Sequence, residues 1–379
     1  MYIYQKTNRY FAQVADDIKD IAEKEIISLG GENTRQSYRG IFFTATKRTL
    51  YSINYHSRLI NRVLAPLIFF NCHSDRYLYR QASRIKWEDF MTPANTFAIF
   101  ATVSNSRIRH SRFAALRLKD AIADYFRSLS GKRPSVNTRN PDIWFNLHIE
   151  NNKATISLDT SGGSLHRRGY RKESTTAPMV ETLAAAIIRH SEWKGDTPLY
   201  DPFCGSGTFL CEAFMHAAHL PSGILRSNFG FERLPDFDTI LWKKIIREGK
   251  QHIKPVLKGI ISGSDISPEA VKTARKNCRM IDRENHIRIE RQDIFGIENL
   301  RDRTIICNPP YGIRTGRAEE MPDFYASFGD FLKRRCTGST AYVYFGEPSF
   351  IKSMGLKPSW KKPLSNGGLD GRLVRYELY

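Results

Sequence analysis

From Pro198 onwards, short strand-like runs alternate with longer helical runs along the chain. The strand-like runs are PLYD (198–201), GIISGSD (259–265), IRIER (287–291), TIIC (304–307) and TAYVYFG (340–346). Strands that alternate with helices are typical of a parallel sheet that carries helices on both faces. The pattern therefore predicts a doubly wound α/β sheet. A further strand is predicted in the closing run RLVRYELY, where Val374, Tyr376 and Leu378 share one face.

Residues 1–160 follow a different pattern, in which strand-like and helical runs are mixed. The strand-like runs are GIFFTAT (40–46) and TFAIFATVS (96–104), and the helical runs are VADDIKDIAEKEIISLGG (14–31) and RFAALRLKDAIADYFRSLSG (112–131). The run DIWFNLHIENNKATISLDTS alternates apolar and polar residues, which predicts a hairpin that turns at Asn151 and Asn152. These features are typical of α+β units, and the length of the whole chain is enough for about two to three domains.

The segment SGGSLHRRGYRKESTT (161–176) separates the two patterns and is predicted to be a linker. A helix is predicted to begin near Pro178, because Thr175 and Thr176 precede it and proline is favoured in the first turn of a helix. Apolar residues then recur at helical spacing, which predicts a stripe that faces the core. These residues are Val180, Leu183, Ala184, Ile187 and Ile188.

Positive charge is unevenly distributed along the chain. The 58 Lys and Arg residues exceed the 39 Asp and Glu residues, which gives a net charge of +19. Residues 1–176 carry +13 of this excess, and residues 177–379 carry +6. A strongly basic half is typical of proteins that bind a polyanion. The charge therefore favours a nucleic acid partner over a general contribution to solubility.

The composition disfavours several classes of protein. No run of about 18 apolar residues is present, and the first twenty residues lack the apolar centre of a signal peptide, so no membrane partner is expected. The cysteines are Cys72, Cys204, Cys211, Cys278, Cys307 and Cys336. No two of them have the close spacing of a zinc site. We therefore expect a protein of the reducing cytoplasm that uses no metal.

The run LYDPFCGSGTFLCEA (199–213) predicts a strand, a glycine turn and the start of a helix. Gly205 and Gly207 allow the backbone to approach a ligand closely, as in dinucleotide-binding proteins. The third glycine of the dinucleotide pattern is absent, because Leu210 stands in its place. A Walker phosphate loop is excluded, because no Gly-Lys-Ser/Thr follows. The turn alone is therefore a weak indication of a nucleotide-like ligand.

Three acids end or follow the predicted strands, namely Asp201, Asp265 and Asp293. An acid at the end of the second strand is the usual partner of a ribose diol. However, Asp265 lies 58 residues after Gly207, whereas a nicotinamide-binding unit has a spacing of about 20. Each acid alone is most simply a helix cap or an exposed turn. Together, beside the glycine turn, they predict a ligand site.

The run TIICNPPYG (304–312) leads from a buried strand into a stiff loop. Its two prolines restrict the backbone and donate no hydrogen bonds, and open α/β sheets bind ligands at the carboxyl ends of their strands. Asn308 and Tyr311 are therefore candidates for contact with a substrate, with a structural turn as the alternative. Methylation of a pyrimidine carbon uses a cysteine nucleophile, but the position of Cys307 inside the strand favours core packing.

The motifs DPFCGSGT, GSDIS, RQDIF and NPPYG occur in this order and resemble those of class I methyltransferases that use S-adenosylmethionine. A wider set of motifs is LHRRGYRKESTTAPMVETLAAAII, FGFERLPDFDTILW, NPPYGIR and NGGLDGRLVRYELY. This set resembles the THUMP-containing RNA guanine-N2 methyltransferases, over essentially the whole chain. That family includes the N-terminal methylase half of the bifunctional large-subunit rRNA enzymes, and related tRNA enzymes.

The resemblance implies three domains. They are a ferredoxin-like unit over residues 1–60, a THUMP RNA-binding domain over residues 61–165, and a methyltransferase domain over residues 166–379. The first two form an α+β region. The third is expected to have the Rossmann-like class I fold, with a doubly wound sheet whose last strand is antiparallel.

The resemblance also implies how the cofactor, S-adenosylmethionine, is bound. Asp265 would bind the ribose hydroxyls, with Ile266 against the adenine. Asp293 would accept a hydrogen bond from the adenine amine, with Ile294 beside it. The helix that begins near Pro178 would close the methionine end. The turn around the methionine part would consist of Asp201, Phe203, Cys204, Gly205, Ser206, Gly207 and Thr208.

The NPPY run is the expected catalytic loop. The side chain of Asn308, which we also assign to the cofactor site, and the carbonyl of Pro309 can accept hydrogen bonds from an exocyclic base amine. Two acceptors would favour the positive charge that develops on the nitrogen. Tyr311 offers a ring for stacking the target base, and Pro310 helps to hold the acceptors in place.

Two basic clusters are predicted to contact RNA phosphates. They are Arg107, Arg109 and Arg112, and the group Arg167, Arg168, Arg171 and Lys172. The expected activity is methylation of guanine N2, most simply in large-subunit (23S) rRNA. The alternatives are a tRNA substrate, an adenine-N6 DNA methylase and a non-catalytic RNA-binding assembly factor. The second catalytic half of the bifunctional enzymes is absent from this sequence, so the target nucleotide of those enzymes is not assigned to this chain. No oligomeric state is predicted.

Overall fold

A computed structural model of the chain describes residues 1–173, 179–311 and 318–379. The chain divides into two compact units. The first unit contains residues 1–165 and 226–247, and the second contains residues 166–225 and 248–379.

The first unit contains a single eight-stranded sheet with helices between its strands. Its elements are α1 (Ile3–Thr7), β1 (Arg9–Gln13), α2 (Lys19–Ser28), β2 (Glu32–Ser37), β3 (Gly40–Thr44), α3 (Lys47–His56), β4 (Arg62–Asn71), α4 (Asp75–Ala82), β5 (Thr96–Ser104), α5 (Ser111–Ser130), β6 (Ser135–Val136), β7 (Ile143–Glu150) and β8 (Lys153–Asp159). The strand order is β2-β3-β1-β4-β8-β7-β5-β6. The sheet is therefore continuous from the N-terminal strands to the end of the first unit.

The predicted hairpin in this unit is confirmed. Strands β7 and β8 are antiparallel, with Glu150 opposite Lys153. Asn151 and Asn152 form the turn with φ values of 51° and 58°, a left-handed conformation that Asn tolerates better than most residues. The helix predicted over 14–31 is shorter in the structure, because α2 begins only at Lys19, after a 3-10 turn.

The second unit is built on a seven-stranded sheet. The remaining elements of the chain are α6 (Glu181–Ser191), β9 (Leu199–Asp201), α7 (Thr208–Ala217), α8 (Thr239–Gln251), β10 (Ile261–Asp265), α9 (Pro268–Cys278), β11 (Arg288–Arg291), β12 (Thr304–Cys307), α10 (Met321–Arg335), β13 (Thr340–Phe345), β14 (Trp360–Pro363) and β15 (Arg372–Glu377). The strand order is β11-β10-β9-β12-β13-β15-β14, and β15 runs antiparallel to β13. The predicted class I methyltransferase fold, with its antiparallel last strand, is confirmed.

Residues 226–247 belong to the first unit, although sequence analysis placed them in the methyltransferase domain. The ring of Phe231 stacks on that of Tyr51 with centroids 4.4 Å apart. The hydroxyl of Tyr4 donates a hydrogen bond to Oδ1 of Asp236 at 2.7 Å. The chain therefore leaves the second unit after α7 and returns to it before β10, because the aromatic side chains of this segment are buried against the first unit.

The predicted linker, residues 161–176, is partly buried where the structure describes it. Ser161, Arg168 and Tyr170 are each at most 1% exposed. The boundary between the two units falls inside this segment, between Leu165 and His166, as predicted for a linker, but much of the segment is buried. Its polar composition resembled a loop, but long-range hydrogen bonds pair the polar groups.

The first helix of the second unit, α6, begins at Glu181, with Val180 in an extended conformation before it. The predicted start near Pro178 lies outside the described residues, as do Thr175 and Thr176. Within the described parts of the chain, no helix combines the length and the apolar character that are needed to cross a membrane.

Candidate active site

Three neighbouring parallel strands of the second sheet, β10, β9 and β12, end at the same edge. This edge carries the glycine turn after β9, Asp265 at the end of β10, and Asn308 directly after β12. The amide of Gly205 donates a hydrogen bond to Oδ2 of Asp265 at 2.9 Å, which joins the first two motifs directly. The sequence motifs therefore meet where open α/β sheets bind their ligands.

The two glycines of the turn are required by its backbone. Gly205 and Gly207 have φ values of 52° and 81°, in the left-handed region that favours glycine. Gly207 precedes the first residue of α7, and its amide donates to the carbonyl of Cys204 at 2.7 Å. A Cβ atom at position 207 would lie 3.2 Å from Cα of Ala274 on α9. Any larger residue would therefore both strain the turn and separate the two helices.

The polar and thiol side chains of the turn point inwards. Cys204, Ser206 and Thr208 are 4%, 4% and 5% exposed, and Nη2 of Arg171 donates to Oγ1 of Thr208 at 2.9 Å. Phe203 is partly buried and packs edge-on against aromatic rings of α10. A ligand at this turn would therefore meet mainly its backbone, and the predicted place of Cys204, Ser206 and Thr208 in a turn around the methionine part of the cofactor stays a prediction.

Asp201 differs from its predicted role as a cofactor ligand. Its carboxyl group is 1% exposed and accepts a hydrogen bond from the amide of Phe203 at 3.1 Å. Burial raises the pKa of the Asp201 carboxyl well above its usual range, against the effect of that hydrogen bond, and the charge of Asp265 adds to the increase. Asp201 therefore shapes the turn and has no exposed carboxylate to offer a ligand.

This environment predicts a pH-dependent difference between the wild-type protein and the Asp201→Asn variant. The raised pKa means that the contribution of Asp201 to stability is complete below its unfolded pKa of about 3.9 and is lost as the pH rises towards the folded pKa. Asn keeps an acceptor for Phe203 and does not titrate. We therefore expect urea unfolding between pH 4 and pH 9 to show the wild type losing stability relative to the variant as the pH rises.

The matched control for this prediction is Asp142→Asn, because the amide and hydroxyl of Thr96 lower the pKa of Asp142. The contribution of Asp142 is present above its unfolded pKa of about 3.9 and is lost only below it, so this control should keep a constant difference from the wild type between pH 4 and pH 9. A difference for Asp201 that is equally constant over this range would contradict the buried protonated carboxyl.

Asp265 and Ile266 have the environment that their predicted roles require. The second oxygen of Asp265, Oδ1, accepts from the amide of Ser267 at 2.9 Å, so two backbone amides orient the carboxylate, which is only partly buried. Ile266 beside it is 64% exposed. An oriented carboxylate next to an exposed apolar side chain is suited to a ribose and a base, and these roles stay predictions.

After β11, the structure differs from the sequence prediction at Ile294. It also exposes Phe295, which the sequence analysis did not select. Asp293 is exposed and accepts a hydrogen bond from the amide of Phe295 at 3.1 Å. Ile294 is 4% exposed and belongs to the core, so its side chain cannot lie beside a ligand as predicted. Phe295 is 46% exposed and offers the apolar surface instead. Its position directly after the RQDI motif was the available signal.

The side chain of Asn308 has an unusual environment. Its Oδ1 atom is buried and accepts no hydrogen bond from any residue that the structure describes. A buried acceptor that is left unsatisfied costs about 1–3 kcal/mol. Such groups persist where a ligand completes them, so this oxygen is a candidate acceptor for a substrate N–H group.

Two residues outside the motif hold the NPPY loop in place. The hydroxyl of Tyr325 on α10 donates to the carbonyl of Pro310 at 3.1 Å. At the end of β13, a Cβ atom on Gly346 would lie only 2.8 Å from Cε1 of Tyr311, so the ring packs directly on this glycine. Sequence reasoning missed both residues, since a tyrosine in a helical run and a glycine after a strand have ordinary structural explanations.

The interpretation of Cys307 as a core residue is confirmed. It is fully buried in the cluster formed by α10 and the strands around it, and burial raises the pKa of its thiol well above the usual range. A buried, protonated thiol is a poor nucleophile. Among the described residues, no group of three or more His, Cys, Asp or Glu is placed to hold a metal ion.

The predicted RNA contacts divide into exposed and buried residues. The exposed ones are Arg107, Arg109, Arg112, Arg167 and Lys172. The assignment of Arg168 to RNA is wrong, because its guanidinium is 1% exposed and its Nε lies 3.3 Å from Oε1 of Glu212. Arg171 is also engaged within the protein, since its Nη2 donates to the carbonyl of Met179 at 2.8 Å.

Family models match three consecutive parts of the chain. An RlmL ferredoxin-like domain matches residues 9–64, a THUMP domain matches residues 73–159, and the methyltransferase domain described as RMKL-like matches residues 168–375. The chain belongs to the RMKL-like methyltransferase family. The resemblance read from the motifs is thereby confirmed.

Among the named relatives, one is matched along almost its whole length and others along about half of it. "Putative RNA methyltransferase slr0064" from Synechocystis sp. PCC 6803 is 39% identical, over 98% of this chain and 97% of its own. The "Ribosomal RNA large subunit methyltransferase K/L" of Syntrophotalea carbinolica is 36% identical, over 98% of this chain and 53% of its own. The chain therefore spans about half the length of its K/L relatives.

A solved structure resembles the whole chain. The crystal structure of SMU.472, "a putative methyltransferase complexed with SAH", has a TM-score of 0.85 and 26% identity, and the match covers 98% of both chains. S-adenosylmethionine is the cofactor of this RMKL-like protein, and the residues fit it. Gly205 and Gly207 give the turn its left-handed backbone, Asp265 is oriented by two amides, and Ile266 is exposed beside it.

Proposed function

We propose that this RMKL-like protein methylates the exocyclic N2 amine of a guanine in large-subunit rRNA. The observation that carries the proposal is the buried Oδ1 atom of Asn308 at the carboxyl end of β12, which has no hydrogen-bond partner among residues 1–173, 179–311 and 318–379. An amine N–H of a base would satisfy it. The THUMP match supports RNA as the substrate class, and the relatives named as large-subunit rRNA methyltransferases support rRNA.

The residues of the loop supply the chemistry that an exocyclic amine requires. Such an amine is a poor nucleophile, because its lone pair is conjugated with the base. Asn308 and the carbonyl of Pro309 accept its two N–H groups, which orients the lone pair and stabilises the positive charge that develops on nitrogen. S-adenosylmethionine supplies a methyl group on a positively charged sulfur. The methylated amine is strongly acidic, so it loses its extra proton to water without a dedicated base.

The loop also needs to be stiff to act in this way. The hydroxyl of Tyr325 holds the carbonyl of Pro310, and Gly346 supports the ring of Tyr311. Groups that are held before the substrate arrives require little reorganisation during the reaction. Tyr311 would then stack on the target base while the acceptors hold its amine.

The proposal is tested by incubating the purified full-length chain with S-adenosylmethionine and, separately, unmodified 23S rRNA, bulk tRNA and DNA. Each substrate is digested to nucleosides, and methylated products are identified by mass and retention time. N2-methylguanosine from rRNA alone supports the proposal. The same product from tRNA alone would replace the substrate, and N6-methyladenine from DNA would overturn the RNA assignment. Absence of any product, with no binding of S-adenosylmethionine, would favour a non-catalytic assembly factor.

Substitutions at Tyr311 and Gly346 test whether Tyr311 stacks on the target base. Stacking on an aromatic side chain contributes about 1–3 kcal/mol per base, so Tyr311→Ala should lower kcat/KM for RNA by roughly 10- to 100-fold. Tyr311→Phe keeps the ring and should remain close to wild type. Gly346→Ala would place Cβ against the Tyr311 ring and displace it, so we expect a loss between those two. Steady-state methylation measures all three, and a loss in Tyr311→Phe equal to that in Tyr311→Ala would contradict stacking.

A further inference from the structure

Helix α8 and the residues after it have a net positive charge nearly as large as that of the whole second half of the chain. Residues 239–258 contain six Lys and Arg residues and a single acid, for a net charge of +5. The whole of residues 177–379 has a net charge of only +6. A charge that served only solubility would be spread along the sequence, so this concentration indicates a specific electrostatic role.

Three of the four basic side chains of α8 lie on one exposed face, and the fourth, Lys244, is exposed beside them. Lys243, Arg247 and Lys250 are exposed and spaced i, i+4 and i+7, which places them in one stripe about 10 Å long along the helix. Trp242 and Ile245, at 9% and 2% exposure, are on the buried face. The stripe is therefore presented to solvent by a helix that its apolar face holds in place.

The stripe is also unpaired in the described part of the chain. None of Lys243, Arg247 and Lys250 forms a side-chain hydrogen bond or an ion pair with a described residue. Exposed basic residues elsewhere in the protein do pair with carboxylates: Arg127 with Asp124, Arg288 with Glu290, and Lys333 with Asp330. Three aligned charges that lack internal partners form a surface suited to an external polyanion.

The character of the helix selects the type of polyanion. A basic amphipathic helix can also bind an anionic membrane, but it does so by inserting its apolar face. In α8 that face is occupied, because Trp242 packs edge-on against Tyr55 and Phe231 at centroid distances of 5.3 Å and 5.0 Å. The face that remains exposed carries the charged side chains and one highly exposed apolar side chain, Ile240, and it can contact phosphates without insertion.

We propose that Lys243, Arg247 and Lys250 bind the phosphate backbone of the RNA substrate. This inference rests on the proposed function and adds a contact surface to it, distinct from the clusters that the sequence analysis selected. The contact is with phosphates, so it contributes affinity and orientation and carries no base specificity. Because the phosphates take no part in the methyl transfer, this contact acts on RNA binding and not on the chemical step.

The test compares the full-length wild type with the K243Q/R247Q/K250Q variant. The Kd for an unmodified 23S rRNA transcript is measured between 50 and 200 mM salt. Each lost phosphate contact lowers the salt slope by about 1, so we expect the slope to fall by about 2–3 and the affinity at the lower salt concentrations to fall by roughly 10-fold or more. At saturating RNA, kcat should be unchanged while KM rises.

Two further variants separate a specific surface from general charge. R127Q/R288Q/K333Q removes the same charge from residues that are already paired, and should keep a slope close to wild type. K243R/R247K/K250R keeps the charges on α8 and should also keep the slope. Equal slopes for the α8 variant and the paired-residue control would overturn the proposal. So would charge-dependent binding of α8 to vesicles containing phosphatidylglycerol without an effect on RNA.

The failure of this inference can be distinguished from failure of the proposed function. The proposed function is judged on the wild type alone, by the methylated nucleoside that it forms. If the wild type forms no N2-methylguanosine but its salt slope still depends on the α8 stripe, the proposed RNA-binding surface stands and the proposed reaction is refuted. If the wild type is active but its salt slope does not depend on the stripe, the proposed reaction stands and the proposed RNA-binding surface is refuted.

Discussion

Asn308→Ala is expected to lower kcat by about 10²- to 10³-fold, which is the usual effect of removing one polar group that stabilises developing charge. The Kd for S-adenosylmethionine should change little, because the proposed partner of Oδ1 is the amine of the base. Single-turnover methylation of RNA and equilibrium binding of S-adenosylmethionine measure the two effects separately. Parallel losses of turnover and cofactor affinity would instead assign Asn308 to the cofactor, which was the additional role predicted from the sequence.

Stability provides a second readout for the same variant. The Oδ1 atom of Asn308 is buried and has no partner within the described part of the chain, so its removal should not lower the free energy of unfolding of the ligand-free protein. Asn277→Ala is the matched control in the same unit. Asn277 is fully buried, and its Nδ2 donates to the carbonyls of Ser206 and Glu173 at 2.9 Å each. Its loss should cost about 1–3 kcal/mol. A similar cost in Asn308→Ala would contradict an unsatisfied acceptor.

Arg168→Ala is expected to destabilise the protein by about 3–5 kcal/mol, because it removes one partner of a buried ion pair and leaves the other charge uncompensated. Arg168 and Glu212 have side chains that are 1% and 0% exposed. The hydroxyl of Tyr170 also donates to Oε1 of Glu212, at 3.0 Å, and burial raises the pKa of Tyr170 so that it stays a donor. The resulting change is measured by urea unfolding followed by tryptophan fluorescence.

The neighbouring residue offers a matched control for this experiment. Arg167 is exposed, and substitution of an exposed residue usually changes stability by at most about 0.5 kcal/mol. Arg167→Ala should therefore unfold like the wild type. If Arg168→Ala kept wild-type stability and instead lost RNA affinity, the buried ion pair would be refuted and the original assignment of Arg168 to RNA would return.

Several elements were predictable because they depend on neighbouring residues alone. The strand over Thr304–Cys307 has the predicted bounds, since an apolar run that ends at two prolines has few other conformations. The turn at Asn151 and Asn152 was predictable because Asn tolerates a left-handed backbone. The glycine turn, the acids and the NPPY loop converged as expected, because parallel strands bring their carboxyl ends to one edge.

Burial and long-range pairing were not predictable in this way. Arg167 and Arg168 are adjacent and chemically identical, yet one is exposed and the other pairs with Glu212, 44 residues further on. Likewise, Asp201 resembled a ligand in the sequence but is a buried part of the turn. No local pattern distinguishes these cases, because the environment of each side chain is created by segments that are distant in the sequence.

The amino-acid sequence by itself determined the fold class, the family and the position of the NPPY loop at the end of a strand, since these follow from strand–helix alternation and from motifs of a few residues. Only the tertiary structure decided that residues 226–247 pack with the first unit, that Oδ1 of Asn308 is buried with no partner among the described residues, and that α8 presents a basic stripe. The physical reason is that hydrogen bonding, burial and charge pairing depend on which distant groups come within a few ångströms, and that is settled only when the chain folds.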